Sequence, residues 1–263
     1  MLWIFDKYHM NLIDQIKNSI TDDTDPLNFF EPVVYFEDNN TPDSVLKEYW
    51  SLVTYYWYCG ERLAFEIYRD FLPESNLGYY TDEELVHLKQ DEAKHLKISR
   101  SIHSAIAGEL PDGYFYESFL ENFSKESVMD IKKIIAIVTF TELYAQVLID
   151  TWRKFGSNTV INNLFTEILD DEYTHFEMSS RIFNKLLEES TTKEKIEMFS
   201  SIKSMGYQNS LFSMAILELA KKYPKIKPIT MCGSQHDEYF VQSWAKVVTT
   251  LLGEKLYNLA FLN

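Results

Sequence analysis

Six residues of this chain have the types and spacing to hold metal ions. Asp91-Glu92-Ala93-Lys94-His95 and Asp171-Glu172-Tyr173-Thr174-His175 both read Asp-Glu-x-x-His. On a helix, positions three apart share a face, so Glu92 points with His95 and Glu172 with His175. A further glutamate stands upstream of each pair: Glu61 lies 31 residues before Glu92, and Glu142 lies 30 before Glu172. Carboxylates are hard oxygen donors and imidazole suits iron, so the set favours iron or manganese over a thiolate-seeking metal. Two Glu on two helices, with Glu-x-x-His on each of two others, is how four-helix bundles hold a pair of such ions. One His per ion leaves coordination positions open, as catalysis requires and a structural site does not. Asp91 and Asp171 fit as acceptors for the outer N–H groups of the ligand histidines, fixing tautomer and ring angle.

Glu-x-x-His by itself says little. Glu84-Leu85-Val86-His87 matches it too, yet Glu84 is better explained as the acid of a capping box with Thr81. The discriminating parts are the Asp before each Glu and the glutamate about 30 residues upstream.

Four long helices must carry these residues. Thr41-Pro42 opens the first, with a capping hydroxyl and Pro at the first helical position, and it stops near Phe71, before Pro73. Its buried stripe runs Trp50, Thr54, Trp57, Glu61, Ala64/Phe65, Tyr68. The second helix spans about 82–108, from Thr81 to Gly108, and the third about 127–155, from a cap at Ser127 with Asp130 three on. Gly156-Ser157-Asn158 is a tight break before the fourth, about 159–188. Thr191 and Glu194 open a fifth helical segment that kinks at Gly206 and ends near Tyr223. Ser234 with Asp237 opens a last one reaching Phe261. Ahead of the bundle, a short amphipathic helix over 6–20, an acidic turn and an aromatic stretch form a segment that covers the core. Residues 109–125 read as a loop.

Composition agrees with this layout. Of 263 residues 46% are hydrophobic, with only 8 Gly and 7 Pro, which suits a few long helices around a sizeable core. The net charge of −15 argues against a nucleic-acid partner, which would want a basic face. Cys59 and Cys232 make neither a disulfide framework nor a Cys metal site, which fits a cytoplasmic protein. The N-terminus lacks the basic region of a signal peptide, and no uninterrupted apolar run reaches the ~18 residues of a membrane span, so no membrane partner is expected.

Glu61, Asp91-Glu92-x-x-His95, Glu142 and Asp171-Glu172-x-x-His175 resemble the ligand set of the ferritin-like diiron-carboxylate proteins. Soluble hydroxylases of bacterial multicomponent monooxygenases, acyl carrier protein desaturases, ribonucleotide reductase small subunits, p-aminobenzoate N-oxygenases, rubrerythrins and bacterioferritins belong to that group. The resemblance covers about residues 42–188. Departures narrow it: Ala145 stands where a rubrerythrin carries a second Glu, and the four-Cys rubredoxin domain is absent. Ser99 stands where ribonucleotide reductase has its radical Tyr, and Ile168 where the N-oxygenases have a third His. Tyr144 and Tyr173, beside the ligands, read as packing residues. His103, eight residues past His95, reads as a packing residue with an outer role at the site as the alternative.

The resemblance implies an all-α, ferritin-like four-helix bundle with two additional C-terminal helices, the whole of 1–263 forming one domain. It implies metal ligands Glu61, Glu92, His95, Glu142, Glu172 and His175 around two iron ions, with Mn/Fe or Mn/Mn pairs open. The function implied is an O2-dependent diiron monooxygenase or oxidase that hydroxylates, N-oxygenates or desaturates a small organic substrate, with electrons from a ferredoxin or reductase. A homodimer is compatible with this reading. A ferroxidase or iron-storage protein and a metal-binding bundle without catalysis are the alternatives. The small residues Ala64, Ser99, Ala145 and Ser179 suit either a substrate cavity or close helix packing.

Overall fold

The computed structural model describes residues 42–75, 78–108, 130–155, 159–206 and 218–225, with five more positions between 242 and 249. Among these residues the chain is all-helical, without a strand. We number the helices α1 (Asp43–Glu66), α2 (Asp82–Ala107), α3 (Ile131–Phe155), α4 (Thr159–Glu189) and α5 (Thr192–Gly206). The expected N-terminal helix, the loop over 109–125, the break at 156–158 and the last helix lie outside the described residues, apart from scattered helical positions of the last.

Local chemistry sets most of the helix ends. The Thr81 hydroxyl accepts from the Glu84 N–H while the Glu84 carboxylate accepts from the Thr81 N–H, so α2 opens on the expected capping box. Thr191 and Glu194 repeat it at α5. Gly108 ends α2 at φ 89°, a conformation that favours glycine. Two expected starts move. Pro42, in extended conformation, is itself the cap residue of α1, so the helix begins at Asp43. Asp130, expected inside α3, precedes it instead and accepts from the Lys132 N–H at 3.0 Å.

The first helix also runs past its expected stop. After Glu66 it widens into a π-helical turn, Ile67–Phe71, and continues over Leu72–Ser75. Pro73 has no N–H, and its ring would meet the Arg69 carbonyl in an unbroken α-helix. The π turn just before it, with the Leu72 N–H bonded to the Ile67 carbonyl, carries the chain through.

Side-chain pairs fix how the helices lie. Thr54 meets His103, and Glu61 meets His95, so α1 and α2 are antiparallel. Thr139 bonds the Ser179 carbonyl and Glu142 approaches His175, making α3 and α4 antiparallel. Across these pairs, Tyr68 bonds Glu142 and Trp57 packs on Trp152 between α1 and α3. Glu84 pairs with Arg181, and Asp91 with His175, between α2 and α4. The result is a helical bundle in which every adjacent pair is antiparallel. α5 packs on α3, and Phe199 reaches Phe183 of α4.

The core is continuous, from a Trp57–Trp152–Phe165 aromatic group to a Phe140–Phe183 pair. Among the described residues α3 alone is long and apolar enough, on average, to cross a membrane, although no single run in the sequence reaches that length. It is 78% buried inside the bundle, as a central helix must be, and it carries Glu142. Its apolarity thus has a use without a membrane.

Candidate metal centre

Each motif delivers its side chains to one place between the helices. Glu61 (α1), Glu92 and His95 (α2), Glu142 (α3), Glu172 and His175 (α4) are all buried. Four carboxylates and two imidazoles inside an apolar bundle need compensating partners, because a lone buried charge is costly. The two imidazoles and the carboxylates face one another across the interior.

The geometry around the two imidazoles is nearly symmetric. His95 Nδ1 lies 3.1 Å from Glu172 Oε1, 3.7 Å from Glu61 Oε2 and 3.9 Å from Glu92 Oε2. His175 Nδ1 lies 3.1 Å from Glu92 Oε1, 3.4 Å from Glu142 Oε2 and 4.0 Å from Glu172 Oε2. Glu92 and Glu172 thus give one oxygen to each imidazole, whereas Glu61 serves only His95 and Glu142 only His175. The rings stand 5.7 Å apart. Three overlapping trios have their donor atoms close enough together to hold a metal ion: Glu92/His95/His175, Glu61/His95/Glu172 and Glu142/Glu172/His175.

Both Nδ1 atoms, both Glu92 oxygens and Glu172 Oε2 are buried without a hydrogen-bond partner. Orphaned polar atoms normally cost about 1–3 kcal/mol each, so a cluster of them facing one space signals a missing partner. A cation bound at about 2.0–2.2 Å keeps neighbouring donors roughly 3 Å apart. The observed separations approach that, and hard oxygens with imidazole nitrogens fit a divalent cation. The residues fit a metal.

The Nε2 atoms face outward, and the aspartates cross over. Asp171 of α4 meets His95 Nε2 of α2 at 3.0 Å, and Asp91 of α2 meets His175 Nε2 of α4 at 3.3 Å. Each motif therefore orients the imidazole of the other. Lys94 pairs with Asp171 and His87 approaches Asp91 at 3.4 Å, so a further side chain stands behind each aspartate. Asp171→Asn, or Asp91→Asn, should leave the chain folded and weaken metal binding by roughly 10- to 100-fold, read by titration with Mn(II). Unchanged affinity in both variants would remove the aspartates from the site.

Without a cation, protons take its place. Burial and the nearby Glu92 charge push Glu61 up to about 8. Burial, with Glu142 beside them, raises Glu92 and Glu172 to about 7. Burial alone would lower the two histidines, but contacts with Asp171 and Glu172, and with Asp91 and Glu142, hold both well above the ordinary imidazole value. Glu142 goes the other way: burial opposes its ionisation, and His175 outweighs it and lowers the carboxyl.

Trp57 and Tyr68 belong to the site although sequence reading placed them only on the buried stripe of α1. The Trp57 indole N–H donates to Glu61 Oε1, and the Tyr68 hydroxyl donates to Glu142 Oε1 at 2.6 Å. Trp57 lies one turn before Glu61, a spacing that could have found it. Tyr68 bonds across 74 residues, and no local spacing signals that.

Other candidates resolve simply. Glu84 is the capping acid and also pairs with Arg181, and His87 is exposed, so that Glu-x-x-His pair is not a ligand pair. His103 Nδ1 lies 3.1 Å from Thr54 Oγ1, and its ring packs on Tyr55. Tyr144 is half-buried against the core as expected, whereas Tyr173 is 52% exposed because it points away from the face of Glu172 and His175. Ser99 bonds back to Leu96, and Ser179 takes the Tyr80 hydroxyl at 3.1 Å. Both serines are buried. Cys59 is buried, its thiol pushed up to about 12 by burial.

Fold and site together define an all-helical bundle with a buried Glu/His cluster able to hold metal. Comparison with protein-family profiles, with curated proteins and with solved structures finds no match.

Proposed function

We propose that the chain is a ferritin-like diiron-carboxylate oxidoreductase that uses O2 to oxidise a small organic substrate. One observation carries the reading: Glu92 and Glu172 each turn one oxygen to His95 and one to His175, dividing the cluster into two equivalent halves. A single-ion site would not need that division. Glu61, His95, Glu92 and Glu172 would hold one ion, and Glu142, His175, Glu92 and Glu172 the other. An iron pair so held supplies O2 activation with electrons from a ferredoxin or reductase.

The chain's own residues do the rest. Asp171 and Asp91 hold the two imidazoles in the tautomer that turns Nδ1 inward. Burial keeps bulk water from the carboxylates, and Ile168, Leu88 and Phe165 are among the apolar side chains that keep the interior dry. Four carboxylates match the charge of two divalent cations. The donor set equally accepts Mn/Fe or Mn/Mn.

Anaerobic titration with Fe(II), followed by O2 and a reductant, tests this function. The expected result is saturation at two irons per chain, with O2 consumed only by the loaded chain and more of it when a substrate is oxidised. Iron uptake far beyond two per chain, with a mineral core, would assign the chain to iron handling instead.

A further inference from the structure

The four carboxylates of the cluster are not alike, and the difference lies in what touches their outer oxygens. Glu61 Oε1 receives the Trp57 indole N–H and Glu142 Oε1 the Tyr68 hydroxyl. The second oxygen of each lies toward an imidazole, at 3.7 Å for Glu61 and 3.4 Å for Glu142. No donor from outside the cluster reaches either oxygen of Glu92 or Oε2 of Glu172.

We propose that Trp57 and Tyr68 are positioning residues that set the binding mode of the centre: each occupies one oxygen of an end carboxylate, restricting Glu61 and Glu142 to one-oxygen binding and leaving the bridge to Glu92 and Glu172. The inference rests on the two-cation reading above and adds to it how the ligands divide their work. An oxygen that accepts a buried hydrogen bond gives that bond up before it can close onto a metal, and in a dry interior the donor finds no substitute. The donors stand eleven residues apart, Trp57 on α1 and Tyr68 in the π turn that continues it, and reach opposite halves of the cluster. The chain segment that supplies Glu61 therefore governs both ends.

Each donor is held by its surroundings. Trp57 packs edge-on against Trp152 at 5.2 Å and Phe165 at 5.9 Å, which fixes its indole plane. Tyr68 is buried and stands in the π turn. Its hydroxyl donates to Glu142 Oε1 at 2.6 Å. The indole N–H cannot be titrated away at all.

Carboxylate infrared spectra of the Mn(II)-loaded chain, with isotope-labelled glutamate to identify the bands, test the assignment. One-oxygen binding separates the antisymmetric and symmetric stretches widely, and two-oxygen binding brings them together. In the wild-type chain the widely split bands should correspond to two carboxylates. Tyr68→Phe should lose half of that signal with two Mn(II) still bound, and so should Trp57→Phe; the double variant should lose it all. If Trp57→Phe does not fold, the sulfur analogue of tryptophan, which keeps the ring shape and lacks the N–H, takes its place. Wide splitting undiminished in the variants, with both ions bound, would overturn the inference. Fewer than two Mn(II) in the wild-type chain would overturn the two-cation reading itself, and the metal count separates these failures.

Discussion

Glu172→Ala should remove both bound cations, and Glu92→Ala should do the same. Each of these carboxylates faces both imidazoles, so either truncation takes an oxygen from both halves at once. Loss of an end ligand is milder: Glu61→Ala or Glu142→Ala takes a donor from one half only. In metal-binding assays the expected stoichiometry falls from two toward none for the bridging pair, and toward one for the end pair. The stability readout is large. A ligand at 100 times its Kd contributes about 2.7 kcal/mol, so two cations contribute roughly 5 kcal/mol. In a chain of this size that corresponds to a metal-dependent rise in Tm of roughly 10–20 °C, which the bridging variants should lack. Glu84→Ala is the control, because its carboxylate caps α2 and pairs with Arg181. Full metal retention by Glu92→Ala and Glu172→Ala would refute the bridge.

The second large effect is a reversal of pH dependence on metal loading. Glu61 is raised to about 8, and Glu92 and Glu172 to about 7, above an unfolded value of about 4.3. The folded metal-free chain therefore holds these protons more tightly than the unfolded chain does. Its stability is full below the unfolded value and falls as the pH climbs through 7 to 8. His95 and His175, raised as well, act in the same direction. Glu142 and Asp171 are lowered, so their contribution disappears instead as the pH falls into the acid range. Metal-free stability should thus be greatest at mildly acidic pH. A cation displaces the protons, so metal affinity should rise with pH and binding should release protons. Melting the chelator-treated and Mn(II)-loaded chains at about pH 5.5 and about pH 8 reads both trends. A metal-free chain that grows more stable toward pH 8 would contradict the proton-filled cluster.

Much of this was legible in the sequence because its determinants are local. Glu92 with His95 and Glu172 with His175 are set by helical spacing, and the structure brings these four together with Glu61 and Glu142. Thr81 with Glu84 and Thr191 with Glu194 mark helix starts for the same reason. What was not legible depends on which helices are neighbours. That Asp171 serves His95 and Asp91 serves His175 follows from α2 and α4 crossing antiparallel at the site. Tyr68 reaches Glu142 only because α1 lies beside α3. The π turn escaped because Pro73 marks trouble for a helix without saying whether the chain stops or widens.

Anomalous diffraction at the iron edge, from crystals loaded anaerobically with Fe(II), tests the central claim most directly. Two peaks are predicted between the imidazoles. One should lie about 2.0–2.2 Å from His95 Nδ1 and a Glu61 oxygen, the other at that distance from His175 Nδ1 and a Glu142 oxygen. Glu92 and Glu172 should each reach both. A single ion bound away from these side chains, or none, would contradict it.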